Sequence, residues 1–258
     1  MTKLTDFRTL WQRFHGKELP INHGVKHFDA CQVRFHVLPD NLDRCLTPKD
    51  QSDMLARYHT LAMEMLGSNA CWMVLTEVLD PTGHPDHVER DVDDVRDLAK
   101  EDAEAWRRYQ RHSRAYKKLE RRIQSVFGLT PAWEIYDHDD ENLYRFWAGK
   151  IVWAPDRMDA LLNLIHRDRL LNPLWMNQET GALFAPYHAG VDITLPNAEA
   201  LITTIERFGD WLPGGWGFFN LPSDDTAKLS ERPKAAALVR SALANRPDYR
   251  NCQERYGF

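Results

Sequence analysis

Cysteine is scarce and scattered. The four thiols, Cys31, Cys45, Cys71 and Cys252, form no Cys-x-x-Cys pair and no Cys/His ladder, which points away from a disulfide framework or structural zinc module and toward reduced, mostly buried thiols. Long apolar runs are missing too. The longest, such as residues 70–75 and 198–202, fall far short of the roughly 20 residues that a bilayer span needs, so no membrane partner is expected. The N-terminal stretch lacks the pattern of a cleaved leader. It mixes Lys3, Asp6, Arg8 and Arg13 with Leu4, Phe7, Leu10, Trp11 and Phe14, which predicts an amphipathic helix and a cytoplasmic location. A formal charge of only −5 gives no strong average pull on nucleic acid or anionic lipid. Neither a Gly-x-Ser-x-Gly elbow, a phosphate-binding loop, a dinucleotide fingerprint nor a His-Glu-x-x-His helix occurs, which points away from an enzyme and from any cofactor.

Tryptophan, by contrast, is abundant, with nine copies in 258 residues that are 43% hydrophobic. Tryptophan fills cores first, but it also anchors protein interfaces. The pattern along the chain is clearest at residues 47–67: Thr47 can cap a helix, Pro48 fits its first turn, Asp50 favours the positive end of its dipole and Gly67 stops it. Met54, Leu55, Tyr58, Leu61, Ala62, Met65 and Leu66 then share one face. Strands are expected at 30–37, 71–78, 133–136, 143–147, 150–153, 183–187 and 191–195. Further helices are expected from about 156, with Met158, Leu161, Leu162 and Ile165 inward, after Asn197, with Leu201, Ile202, Ile205 and Phe208 inward, and over 234–245.

Residues 86–126 read differently. They hold no Gly or Pro after the first turn and are highly charged, with Asp86, Glu89, Asp91, Asp93, Asp94 and Asp97 early and Arg107, Arg108, Arg111, Arg114, Lys117, Lys118, Arg121 and Arg122 late. This order suits a helix dipole, whether as one helix or as a hairpin broken near 100–105. Trp106, Tyr109, Tyr116, Ile123 and Val126 mark its apolar stripe. The whole predicts a mixed α/β (α+β) protein. Two small subdomains, residues 1–128 and 129–258, each carry a short sheet with packed helices, and the first ends in the charged helical segment.

Three clusters offer chemistry. Asp80, His84, Asp86, His87 and Glu89 mix metal-ligand types, but Pro81, Gly83 and Pro85 make them a turn without ligand-helix spacing, so no metal is expected. Asp137, His138, Asp139, Asp140 and Glu141 lack the alternation and central Gly of a calcium loop and read as an acidic turn. His188 and Asp192 flank Gly190, and His188 could serve as a general base oriented by Asp192; a Gly-dependent turn with a hydrogen-bonded Asp is the preferred reading. The basic run 107–122, with Trp106, Tyr109 and Tyr116 nearby, is the argument for nucleic acid, but the acidic half of the same segment weighs against it.

Two stretches resemble an uncharacterised bacterial domain family. Arg34-Phe35-His36-Val37-Leu38-Pro39, followed by Arg57-Tyr58-His59, resembles its Arg-Phe-His-x-Leu-Pro segment and the helix after it. Residues 186–196, Pro-Tyr-His-Ala-Gly-Val-Asp-Ile-Thr-Leu-Pro, and then Asp210-Trp211-Leu212 resemble its Pro-Tyr-Asp-Gly-Gly-x-Asp turn and Asp-Trp-Leu helix end, with His188-Ala189 replacing Asp-Gly. In make-up the chain is also similar to cytosolic immunity proteins that neutralise antibacterial effectors delivered by type VI secretion. That likeness implies a one-to-one complex with a cognate protein toxin. Its contacts are expected from Trp106, Arg107, Tyr109 and Arg111 and from Asp137, Asp139, Asp140 and Glu141, with His188 and Asp192 as weaker contributors.

Overall fold

A computed structural model describes residues 5–22, 30–38, 45, 47–79, 103–137, 142–167, 169–170, 173–213, 219–222 and 225–243, with only the backbone described at 5–6, 79, 103–113, 142, 226 and 243. The strongest local signal in the sequence forms as its chemistry dictates. Thr47 and Asp50 close a capping box, Asp50 N donating to Thr47 Oγ1 at 3.1 Å and Thr47 N to Asp50 Oδ2 at 2.8 Å. Gly67, at φ 72°, ends the helix. Asn197 caps a later helix by accepting from Ala200 N at 2.9 Å.

The helices among the described residues are α1 (Thr5–His15), α2 (Pro48–Leu66), α3 (Ala103–Phe127), α4 (Pro155–His166), α5 (Ala198–Phe208), α6 (Thr226–Ser230) and α7 (Pro233–Leu243). The strands are β1 (Cys31–His36), β2 (Ala70–Leu79), β3 (Thr130–Asp137), β4 (Asn142–Val152), β5 (Pro173–Asn177), β6 (Leu183–Tyr187), β7 (Gly190–Leu195) and β8 (Phe219–Asn220). All eight strands join one sheet in the order β3-β4-β2-β5-β6-β7-β1-β8, and every neighbouring pair is antiparallel. The class is therefore mixed α/β. The strands before and after residue 128 interleave, β2 between β4 and β5 and β1 between β7 and β8, so position 128 does not separate two sheets. The turns between strands are local, but the pairing of β1 and β2 is not, and only tertiary contacts reveal it.

Strand alternation divides the core. On one face Cys71, Met73, Leu75, Trp175, Phe184, Val191, Ile193, Val33 and Phe35 meet the apolar sides of α2, α4, α5 and α7. On the other, Trp72, Val74, Tyr144, Phe146, Ala148, Leu174, Met176, Leu183 and Ala185 are covered by Phe7 and Trp11 of α1. The inward residues expected of α4 and α5 are buried, as are those of α2 except Leu55, which is half-buried.

Two departures have clear causes. The expected strands 143–147 and 150–153 are one strand, β4, because Gly149 continues the ladder instead of turning it. A Cβ there would meet Leu129 Cδ2 at 2.9 Å, so the glycine is needed for close approach. On α3, Val126 is 59% exposed, and the buried face runs through Tyr116, Glu120, Ile123 and Gln124. Two polar residues take core positions that an apolar stripe cannot announce. Cys31, Cys45 and Cys71 are free thiols, Cys31 and Cys71 buried and Cys45 half-buried; Cys252 lies outside the described residues. Among the described residues no helix is long and apolar enough to cross a membrane.

Candidate functional site

The two stretches that carry the family resemblance fold against each other. β1 pairs with β7 in the register Arg34↔Asp192. Arg34 Nε donates to Asp192 Oδ1 at 2.7 Å and Nη2 to Oδ2 at 2.8 Å, a bidentate bridge, while the guanidinium lies 4.8 Å from the Tyr187 ring centroid. Burial works against the Arg34 charge, but the hydrogen bonds and charge of Asp192 outweigh it and hold the guanidinium protonated beyond its ordinary range. Burial pushes the Tyr187 phenol upward, with Arg34 opposing.

The turn at 188–189 is fixed from all sides. Tyr58 Oη on α2 donates to the carbonyls of Tyr187 and Gly190, Val37 N donates to Ala189 O at 3.1 Å, and His166 Nδ1 donates to His188 O at 2.6 Å. With its Nδ1 proton so placed, His166 accepts from Cys45 N at Nε2, 3.1 Å. Gly190 admits no side chain, since a Cβ would stand 2.4 Å from Phe35 O. Arg57 Nη1 reaches Leu38 O at 3.4 Å and its guanidinium stacks 5.2 Å from the Trp211 ring. His59 is held in one tautomer, accepting from Trp153 Nε1 at 3.2 Å and facing Asp159 Oδ1 at 2.7 Å through Nε2. Both Asp192 oxygens thus accept from Arg34, a partner that sequence reasoning did not name. The cross-strand pair of an Arg and an Asp in two motif segments was the signal available for it.

The opposite end of the sheet is built otherwise. β3 is the terminal strand, paired only with β4 among the described residues, and α3 leads straight into it. Glu120 of α3 is 2% exposed, and its Oε1 has no hydrogen-bond partner among the described residues. Burial first, and then the charge of Glu77, push its carboxyl up to about 8, with Lys117 opposing. Glu77 itself accepts from Trp147 Nε1 at 2.8 Å and lies 3.6 Å from Arg145 Nη1. On the outer side of α3, Arg114, Lys118, Arg121 and Arg122 are exposed, and none enters an ion pair among the described residues. On β3, Glu134, Ile135 and Tyr136 are exposed, Ile135 at 36% and Tyr136 at 41%.

The backbone of Trp106, Arg107, Tyr109 and Arg111 lies on α3, their side chains outside the described residues. Asp137 ends β3, while residues 138–141, including Asp139, Asp140 and Glu141, and the turn around His84 lie outside the description. The described backbone of the charged helix and Asp137 therefore map to one end of the sheet, and His188 and Asp192 to the other. Among the described residues no three His, Cys, Asp or Glu side chains come together to hold a metal ion.

Fold and site define an α+β protein whose described strands form one antiparallel sheet, internally bonded at one end and openly charged at the other. A family model described as a domain of unknown function, DUF3885, matches residues 21–215, so the chain belongs to that family. The match runs from β1 through α5 and takes in every described strand except β8. Searches of curated proteins and of solved structures each return no significant match.

Proposed function

We propose that this chain is a binding protein that neutralises a cognate protein toxin or effector, one to one, as an immunity protein does. The observation that carries the reading is the row Arg114, Lys118, Arg121 and Arg122, exposed and without ion pairs among the described residues, on the helix that leads into β3. A row of this kind costs self-repulsion along a helix and contributes nothing to the core, so a role in attracting an acidic partner accounts for it better than folding does. The Arg34–Asp192 end, in contrast, already satisfies its own charges. The cytoplasm is the proposed site of action.

The test is co-expression with the product of a neighbouring effector gene. Cells should die without this chain and survive with it, and a charge-reversed variant, R114E/K118E/R121E/R122E, should lose rescue while keeping its melting temperature. Death that the chain does not prevent, or failure to co-purify, removes the reading. The same basic row supports a second reading, nucleic-acid binding. Sub-micromolar affinity for DNA or RNA at physiological salt, falling steeply as salt rises and lost in the same variant, would put that reading first.

A further inference from the structure

We propose that the outer face of α3 is a docking surface for an acidic amphipathic helix of a partner protein. The inference deepens the binding reading above and rests on it: the basic row gives the partner's charge, and the residues beside the row give its shape.

Helical spacing sorts the residues of α3 into sides. Tyr116, Glu120, Ile123 and Gln124 are buried, and Phe127 is half-buried against the core that Ile123 enters. Arg114, Lys118 and Arg121 stand on the opposite side. Between the two sides runs a line of Ala115, Leu119, Arg122 and Val126, at steps of four, three and four, the spacing at which one helix lays a seam along another. Ala115, Arg122 and Val126 are exposed, Val126 at 59%, and Leu119 is half-buried at the rim of the core.

The line is apolar for most of its length. Its one charged member, Arg122, brings an aliphatic stem of the kind that packs on apolar surface while the guanidinium stays in water. A single exposed valine is ordinary, but Val126 ends a seam that has a basic row along one side only. A phosphate backbone uses such a row and has no use for the seam. An amphipathic helix uses both: apolar residues every three or four positions meet Ala115, Leu119 and Val126, and carboxylates on one flank meet Arg114, Lys118 and Arg121. From Ala115 to Val126 the seam is about 16 Å long, which about three turns of the partner fill.

The charges of the row are not committed to the fold. Arg114, Lys118, Arg121 and Arg122 enter no ion pair among the described residues. Arg157 of α4 supplies a comparison, because its guanidinium stands 5.5 Å from the ring of Phe127, on the side of α3 away from Lys118. It is exposed and equally positive, near the same helix but off the seam.

The test uses the full chain and three synthetic peptides of about 20 residues, long enough to form a helix. The first carries Leu at steps of three and four with Glu along one flank. The second has Lys in place of that Glu, and the third shuffles the first so that Leu and Glu no longer keep to separate faces. The first should gain helicity on mixing, bind about tenfold more tightly than either of the others, and weaken as salt rises. It should lose binding to R114E/K118E/R121E/R122E. Val126→Gln removes apolar surface from the seam but no charge and should weaken binding about fivefold, whereas Arg157→Glu, which reverses a charge off the seam, should leave it unchanged. Circular dichroism checks the folding of each variant, and the contrast between Val126→Gln and Arg157→Glu carries the result if the quadruple variant unfolds. Equal binding of the ordered and shuffled peptides, or indifference to Val126→Gln, overturns the proposal. So does a DNA or RNA oligonucleotide that binds more tightly than the first peptide and is indifferent to Val126→Gln. An effector complex that keeps its affinity in both Val126→Gln and the quadruple variant leaves neutralisation standing and removes this surface. Peptide docking without any effector complex does the reverse.

Discussion

At the β7–β1–β8 end of the sheet, charged and polar side chains meet one another: Arg34 meets Asp192, Gln32 Nε2 meets Thr194 Oγ1 at 3.4 Å, and Asn220 Nδ2 meets Ala30 O at 2.9 Å. At the β3–β4 end, a buried carboxyl feels the charge of a second carboxylate and a basic row faces outward. The difference separates groups that hold a fold from groups left available to something else. Internal pairing offsets the desolvation of buried charge. Where charge is neither buried nor paired, the fold gains little from it, and its effect appears in association.

Breaking the paired end should have the largest effect. Asp192→Ala leaves Arg34 partly buried without its carboxylate and is expected to destabilise the chain by about 3 kcal/mol, read as a lower urea midpoint. A paired Arg34→Leu/Asp192→Leu variant should recover part of that loss, because two apolar groups leave no orphaned charge. Equal loss in the single and double variants would mean that packing, and not the ion pair, holds this end.

Glu120 tests the other end. In the unfolded chain its carboxyl ionises near the ordinary 4.5, in the folded chain at about 8. Below the lower value both states are protonated and its contribution is intact. Between the two, the unfolded chain releases a proton that the folded chain keeps, so stability falls as pH rises, and above about 8 the loss is complete. Glu120→Gln, which cannot ionise, should gain roughly 2 kcal/mol at pH 8 and nothing near pH 4. A gain that is the same at both pH values would exclude ionisation as the cause.

His15, at the C-terminal end of α1, gives a smaller effect of opposite direction. Burial lowers its pKa from 6.5 to about 4, against a hydrogen bond to the Gly181 backbone that raises it. Above 6.5 both states are neutral and stability is intact; as pH falls toward 4 the unfolded chain takes up a proton that the folded chain refuses, and stability is lost. His15→Gln should flatten the acid limb by roughly 1 to 2 kcal/mol, measured as melting temperature at pH 7 and pH 4.5. An unchanged acid limb would place the acid sensitivity elsewhere.

How far the chain announced these two ends follows from the range of each signal. Caps, stops and helical stripes are local, so α2, α4 and α5 could be read directly from Thr47, Gly67, Asn197 and their apolar spacing. β5, Pro173–Asn177, has no such signature: its run of Pro-Leu-Trp-Met-Asn neither alternates nor carries β-branched residues, and it becomes a strand because β2 and β6 flank it. The single sheet was hidden for the same reason, since β1 and β2 find their partners far away in sequence, Cys31 opposite Leu195 and Leu79 opposite Leu143. The Arg34 and Asp192 motifs were visible singly, but their pairing depends on a register that no local pattern fixes. Glu120 was the least legible residue, because a carboxylate among charged neighbours reads as surface until the helix is docked.

The smallest expected effect on stability is also the sharpest test of the comparison. Arg114, Lys118 and Arg122 stand at successive steps of four on α3, a spacing that brings like charges together and costs a few tenths of a kcal/mol per pair. Replacing Arg114, Lys118, Arg121 and Arg122 by glutamine keeps helix propensity while relieving that repulsion. The quadruple variant should therefore melt within about 0.5 kcal/mol of the parent, and on the stable side. It should still fail to protect cells from the effector. A loss of more than about 1 kcal/mol would show that the row holds the fold together, and the contrast between a satisfied end and an available one would disappear. Unchanged stability with unchanged rescue would move the partner's contact away from α3.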